Sequence, residues 1–119
     1  MRYALLMYTD PARTKAMSES AVEDVKRKHG ALVEELSANG EVTGGAGLAF
    51  PHETTVLRLD GDSVAAQEGP LTPEPVEQLS AYYEIDCETL DRAREIASRI
   101  LDDHVTAIEL RRIHDSVDL

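Results

Sequence analysis

RYALLMY, residues 2–8, is the stretch whose reading decides the fold. Apolar and aromatic side chains fall on both parities of the run: Tyr3, Leu5 and Met7 on one, Ala4, Leu6 and Tyr8 on the other. Side chains of a strand alternate between two faces, so a strand apolar on both is covered on both. Thr9-Asp10-Pro11 ends it, and a loop is expected to about Met17.

Outward from that strand, residues 18–39 read as a helix. Ser20 and Glu23 have the spacing of a capping box. Val22, Val25, His29, Leu32 and Leu36 step by three and four residues into one stripe, which Val33 widens. Asn39-Gly40 is the stop, because glycine tolerates the left-handed conformation. Residues 41–48, rich in glycine, predict an irregular edge strand. Residues 54–59 and 62–66 predict a hairpin about Asp60-Gly61. Gly69, Pro70, Pro73 and Pro75 make residues 67–76 a rigid loop.

Residues 79–86 predict a further strand, with Leu79, Ala81, Tyr83 and Ile85 on one face and Tyr82 opposite. Residues 87–101 predict the second helix, with Leu90, Ala93, Ala97 and Ile100 as its stripe, joined by Ile96. Residues 105–113 predict the last strand, and residues 114–119 a frayed tail. The order is β-α-β-β-β-β-α-β in one domain, residues 1–119. This is an α+β chain with two helices on one face of an antiparallel sheet. The sheet's other face still carries apolar residues, half of the first strand among them. A second copy of the chain is the simplest cover for it.

Lys and Arg number 12 against 23 Asp and Glu, a formal net charge of -11. That balance argues against nucleic acid as a partner, since phosphates require a basic face, and against anionic lipid surfaces. No apolar run approaches the roughly 20 residues of a membrane span. The start lacks the layout of a signal peptide, and the lone Cys87 has no internal disulfide partner. The expected location is the cytoplasm. No Cys/His cluster has ligand spacing, so no metal is expected. The glycines around Gly44 form no phosphate loop, and no flavin or haem motif occurs, so no cofactor is expected.

The pattern resembles the YCII-related domain family, and within it the DGPF-type branch. The likeness rests on RYALLMY at the start, and on His29 followed by Leu32, Leu36 and Gly40. Glu68-Gly69-Pro70-Leu71 stands where that branch has Asp-Gly-Pro-Phe. Glu77-Gln78-Leu79, Tyr82-Tyr83, Ile85-Asp86, Leu90-Asp91, Ala93 and Ile108-Glu109-Leu110-Arg111 follow in matching order. The resemblance implies a ferredoxin-like fold assembled as a dimeric α+β barrel, with a cleft between the open sheet face and the partner. It associates the family with dehydrochlorinase-type elimination and a His-Asp pair. The chain departs at Glu68, at Leu71, at Pro75-Val76 where a Lys is usual, and at Ile100 where YCII proteins carry an acid. His29 carries over best, and its acidic partner stays open.

His29 also stands out by itself. An imidazole in an apolar stripe needs a partner or loses solvation, at about 1–3 kcal/mol, and histidine moves protons near neutral pH. It is the expected general base. Glu68, held before a Gly-Pro turn, is the second candidate catalytic residue. Tyr3, Tyr82, Tyr83 and Arg111 are candidate substrate-binding groups, the tyrosines as donors to an oxygen-rich ligand and Arg111 for a carboxylate. Asp102, Asp103 and His104 read as a solvated turn. Cys87 is expected to sit at a helix start between opposing acids.

Three readings follow. The first is a cofactor-independent lyase or isomerase acting on a small oxygenated molecule. The second is a dimeric ligand-binding or regulatory protein without turnover. The third is a subunit that supports a partner protein through its acidic surface.

Overall fold

The structure, a computed structural model, describes residues 1–117. In chain order it has β1 (Arg2–Thr9), α1 (Pro11–Lys15), α2 (Glu19–Ala38), β2 (Val42–Gly47), a 3₁₀ turn (Pro51–Glu53), β3 (Thr55–Asp60), β4 (Ser63–Glu68), β5 (Gln78–Asp86), α3 (Leu90–Ile100) and β6 (Ala107–Arg112). The α+β class and the order of the long elements are as read from the sequence. Residues 118–119 of the expected tail lie outside the described residues. Residues 114–117 have no regular structure, and the Ser116 hydroxyl accepts a bond from Arg2 at 2.8 Å.

Four strands form an antiparallel sheet in the order β2-β5-β1-β6. RYALLMY is thus an inner strand, paired on both edges. Tyr3, Leu5, Met7 and Thr9 are buried on one face. Register places Ile85, Tyr83 and Ala81 beside them on β5, and Leu110 and Ile108 on β6. Leu32 and Leu36 of α2 and Ala93, Ile96, Ala97 and Ile100 of α3 complete this core. Both long helices therefore lie on one face, as expected.

The other face, for which a second copy is the expected cover, is open in the single chain. Ala4, Leu6 and Tyr8 are only half-buried, with Tyr82 and Leu79 across from Leu6 and Tyr8. β3 and β4 form a separate two-stranded sheet and do not extend the main one. Its register puts Leu57, Ala66, Leu59 and Val64 on one side, where Leu57, Leu59 and Val64 are 66%, 81% and 64% exposed. The radius of gyration, 16.2 Å, exceeds the about 13.5 Å of a compact domain this long.

Local chemistry explains four shifts from the expected boundaries. Asp10 accepts from the Ala12 N–H and Pro11 takes the first helical position, so α1 forms where a loop was expected. Ser18, not Ser20, caps α2, because Ser18 is extended and its hydroxyl accepts from the Ala21 N–H at 3.1 Å. Asp60 pairs with Ser63, so the hairpin loop is Gly61-Asp62 rather than Asp60-Gly61. Gly61 holds φ at 62°, and glycine leads where a two-residue loop needs positive φ first. Thr89 caps α3 by accepting from the Arg92 N–H at 3.1 Å. Cys87 consequently lies before the helix, buried, where burial pushes its thiol pKa up.

Leu36 is fully buried, whereas Val22, at the head of the same stripe, is 37% exposed. Leu36→Ala is expected to lower unfolding free energy by about 2–5 kcal/mol. Val22→Ala should lower it by about 1 kcal/mol or less. Urea denaturation of both variants measures the difference.

Candidate functional site

α2 leaves the sheet as it runs back from Leu36 towards Val22. Its stripe passes from buried Leu32 to half-buried His29 and Val25. A cavity of about 930 Å³ opens there, between α2, the inner strands and the glycine-rich backbone of β2. Met7 and Thr9 of β1, His29 of α2, Tyr83 of β5 and His104 after α3 border it. It lies on the helix side of the sheet. The cleft expected between the open sheet face and a partner is thus on the opposite face from the cavity this chain forms.

His29 Nδ1 and the Tyr83 hydroxyl are 2.8 Å apart, with ring centroids 6.0 Å apart. Burial lowers the His29 pKa from its ordinary value of 6.5; the charges of Lys28 and His104 lower it too, against an opposing pull from Asp102. Burial raises the Tyr83 pKa. At neutral pH the pair is therefore a neutral imidazole against a protonated phenol, with two arrangements open to it. If the phenol donates to Nδ1, Nε2 carries the ring proton. If Nδ1–H donates to the phenol oxygen, Nε2 is a free base and the phenol proton is free to donate elsewhere.

β2 makes room for this pair. A Cβ built on Gly45 would stand 2.6 Å from both the Tyr82 carbonyl oxygen and Tyr83 Cδ1. Gly45 faces Tyr83 in register, so the strand approaches the ring only because that position is glycine.

The turn after α3 is built around Asp102. Its Oδ1 accepts from the His104 N–H at 2.8 Å and the Val105 N–H at 2.7 Å. Its Oδ2 meets Lys28 Nζ at 2.6 Å, and Lys28 also donates to the Ile100 carbonyl at 2.9 Å. Burial pushes the Asp102 pKa up, but these donors outweigh it and hold the carboxyl below its ordinary value. Asp102 is thus a strut between α2 and the turn. It acts on His29 through charge and makes no hydrogen bond to it.

No family model matches the chain. A protein of Rhizobium meliloti (strain 1021), described only as uncharacterized, is 33% identical over 97 residues, spanning 82% of this chain and 77% of that protein. The chain belongs to that protein's family. The matched length is compatible with one shared fold, and the name brings no reaction with it.

The structure brings only part of the expected site together. His29 and Tyr83 meet in the cavity. Tyr82 borders the cavity, although register turns its side chain to the open face. Tyr3 is 4% exposed and packs in the core, its hydroxyl near Met1 Sδ. Glu68 is exposed at the end of β4 and borders a separate shallow depression with Gly69 and Pro70. Arg111 projects from the open face, its side chain 77% exposed beside Glu109. Sequence reasoning missed Thr14 and His104, which meet at 3.1 Å. The available signal was Asp102 two residues before His104, the spacing of a turn in which an Asp side chain caps the backbone. Among the described residues, no three His, Cys, Asp or Glu side chains gather to hold a metal ion. Nor is any helix long and apolar enough to cross a membrane.

A lowered His29 pKa has a signed consequence. The folded chain binds a proton at His29 less readily than the unfolded chain does. Its contribution to stability is therefore fully present above about pH 6.5 and is lost as pH falls to the folded value. An NMR titration should place the His29 midpoint below 6.5. The urea midpoint of wild type should fall relative to that of His29→Ala as pH drops through that window.

Proposed function

We propose that the chain is a cofactor-independent lyase or isomerase of the YCII-related, DGPF-type kind, in which His29 removes a proton from a small oxygenated molecule. The observation that carries the reading is the 2.8 Å contact of His29 Nδ1 with the Tyr83 hydroxyl beside a cavity large enough for such a molecule. With Nδ1–H donated to the phenol oxygen, His29 Nε2 takes a proton from the carbon next to a carbonyl. The C–H electron pair becomes the C=C bond of an enolate, and the Tyr83 O–H steadies the charge on oxygen. Return of the proton to another carbon completes an isomerisation. Departure of a group from the neighbouring carbon completes an elimination.

The second reading is a binding protein without turnover. It draws on Glu68 lying outside the cavity and on Asp102 being committed to Lys28, so that among the described residues no carboxylate orients the imidazole. Hydrogen–deuterium exchange separates the two. Acetophenone in D₂O should lose its methyl protons faster with the protein than with buffer. His29→Ala should slow the catalysed exchange by about 100-fold or more, and Tyr83→Phe should slow it less. Perturbation of His29 resonances by acetophenone without faster exchange would favour the binding reading.

We also propose that two copies pair through the open sheet face, as a ferredoxin-like dimeric α+β barrel. The sheet order β2-β5-β1-β6 is consistent with a split β-α-β arrangement. Half-buried Ala4, Leu6, Tyr8 and Tyr82 supply an apolar surface for the pairing. Sedimentation velocity should find a dimer at micromolar concentration. Leu6→Glu should shift it to monomer while the far-ultraviolet circular dichroism is retained; a wild-type monomer at all concentrations overturns the pairing.

A further inference from the structure

Thr9 ends the row that β1 turns to the helices, after Tyr3, Leu5 and Met7. It is 3% exposed, the one buried polar residue among those described, and it borders the cavity. Its hydroxyl has no hydrogen-bond partner among the described residues, although polar groups are near. Gln78, across from it in register, gives its amide to the carbonyls of Thr72 and Pro75 at 3.0 and 2.8 Å. Ser80 gives its hydroxyl to the Met7 carbonyl at 3.3 Å.

Among the described side chains that are not exposed, His104 Nδ1 is the one nitrogen or oxygen both sealed from solvent and without a partner. The Thr9 oxygen lacks a partner too, so it is not sealed. The small part of Thr9 that stays open therefore includes its hydroxyl. Thr9 borders the cavity and not the depression beside Glu68, so the opening is into the cavity.

A hydroxyl taken into a fold without a partner is destabilising, and valine has the same outline and suits a strand as well. What the hydroxyl adds here is a donor and an acceptor offered to an occupant of the cavity. Its distance from the His29–Tyr83 pair sets the length of that occupant. Tyr83 lies across from Leu5, and Leu5 is about 13 Å from Thr9 along β1. Between them the sheet offers Met7 and Ala81, both apolar and one of them small.

We propose that Thr9 is a second ligand-binding residue, and that the ligand is an elongated carbonyl compound with an apolar middle and a hydroxyl at its far end. Its carbonyl oxygen meets Tyr83, its middle lies over Met7 and Ala81, and its hydroxyl shares a hydrogen bond with Thr9. This rests on the reading that the His29 cavity binds a small oxygenated molecule.

The test compares 4-acetylbiphenyl with 4-acetyl-4′-hydroxybiphenyl, which adds one hydroxyl at the end away from the carbonyl. Calorimetry gives the two affinities, and the His29 resonances report occupation of the cavity. The hydroxylated ketone should bind wild type about tenfold more tightly than its parent. In Thr9→Val the ratio should fall to about one; in Thr9→Ser it should be retained. Thr9→Val should also leave the urea midpoint unchanged or raised, because its hydroxyl has no partner to lose. A lowered midpoint places that partner inside the protein and overturns the proposal. If both ketones perturb His29 and bind wild type equally, or if the ratio survives in Thr9→Val, Thr9 is no ligand residue and the His29 site stands. If neither ketone perturbs His29, the site itself fails, and Thr9 with it.

Discussion

Everything in the chain hangs on β1 being paired along both edges. An inner strand cannot slip its register by one residue without turning its buried side chains to water. Tyr3, Leu5, Met7 and Thr9 are therefore held on the helix side. Their cross-strand neighbours Ile85, Tyr83, Leu110 and Ile108 are held there with them. α2 and α3 then have only one surface on which to bury Leu32, Leu36, Ala93, Ile96 and Ile100.

The cavity is a by-product of the same constraint. Leu36 seals α2 against the sheet, but the helix runs 20 residues and its first half reaches past the packed core. His29 sits at the changeover from buried to exposed stripe. Tyr83, on the helix side because Leu5 is, lies within hydrogen-bonding reach of it. The edge strand beside them can come close because Gly45 has no side chain to strike the Tyr83 ring. On the far side, the Lys28–Asp102 pair ties α2 to the turn that presents His104. The imidazole environment is thus shaped by three elements that are distant in sequence, and burial is the main reason the His29 pKa falls.

Most of the fold was legible in the sequence because its signals are local. A run apolar on both parities marked β1, a shared face marked β5, the three-four stripe marked α2, and Asn39-Gly40 marked its end. The boundaries that moved did so where two local signals compete. Ser18 and Ser20 both suit a cap, and Asp60, Gly61 and Asp62 all suit a turn; which one serves depends on the backbone angles that the flanking strands and helix allow. The site was less legible. His29 is visible as a polar residue in an apolar stripe, but Tyr83 looked no different from Tyr3 or Tyr82. Glu68 followed from a rigid loop, and rigidity says nothing about which depression a side chain borders.

The sequence by itself determined the α+β class, the order of the long elements, which face of each long helix is apolar, and that His29 would need a partner. Those are properties of periodicity and of single side chains, and a chain carries them wherever it folds. Only the tertiary structure decided that the partner is Tyr83 and that Asp102 serves Lys28. Only it showed that the hairpin stands apart from the main sheet and that His104 faces the same cavity as His29. Each of these joins residues far apart in the chain. Such pairs are set by sheet register and helix packing, which no single segment encodes.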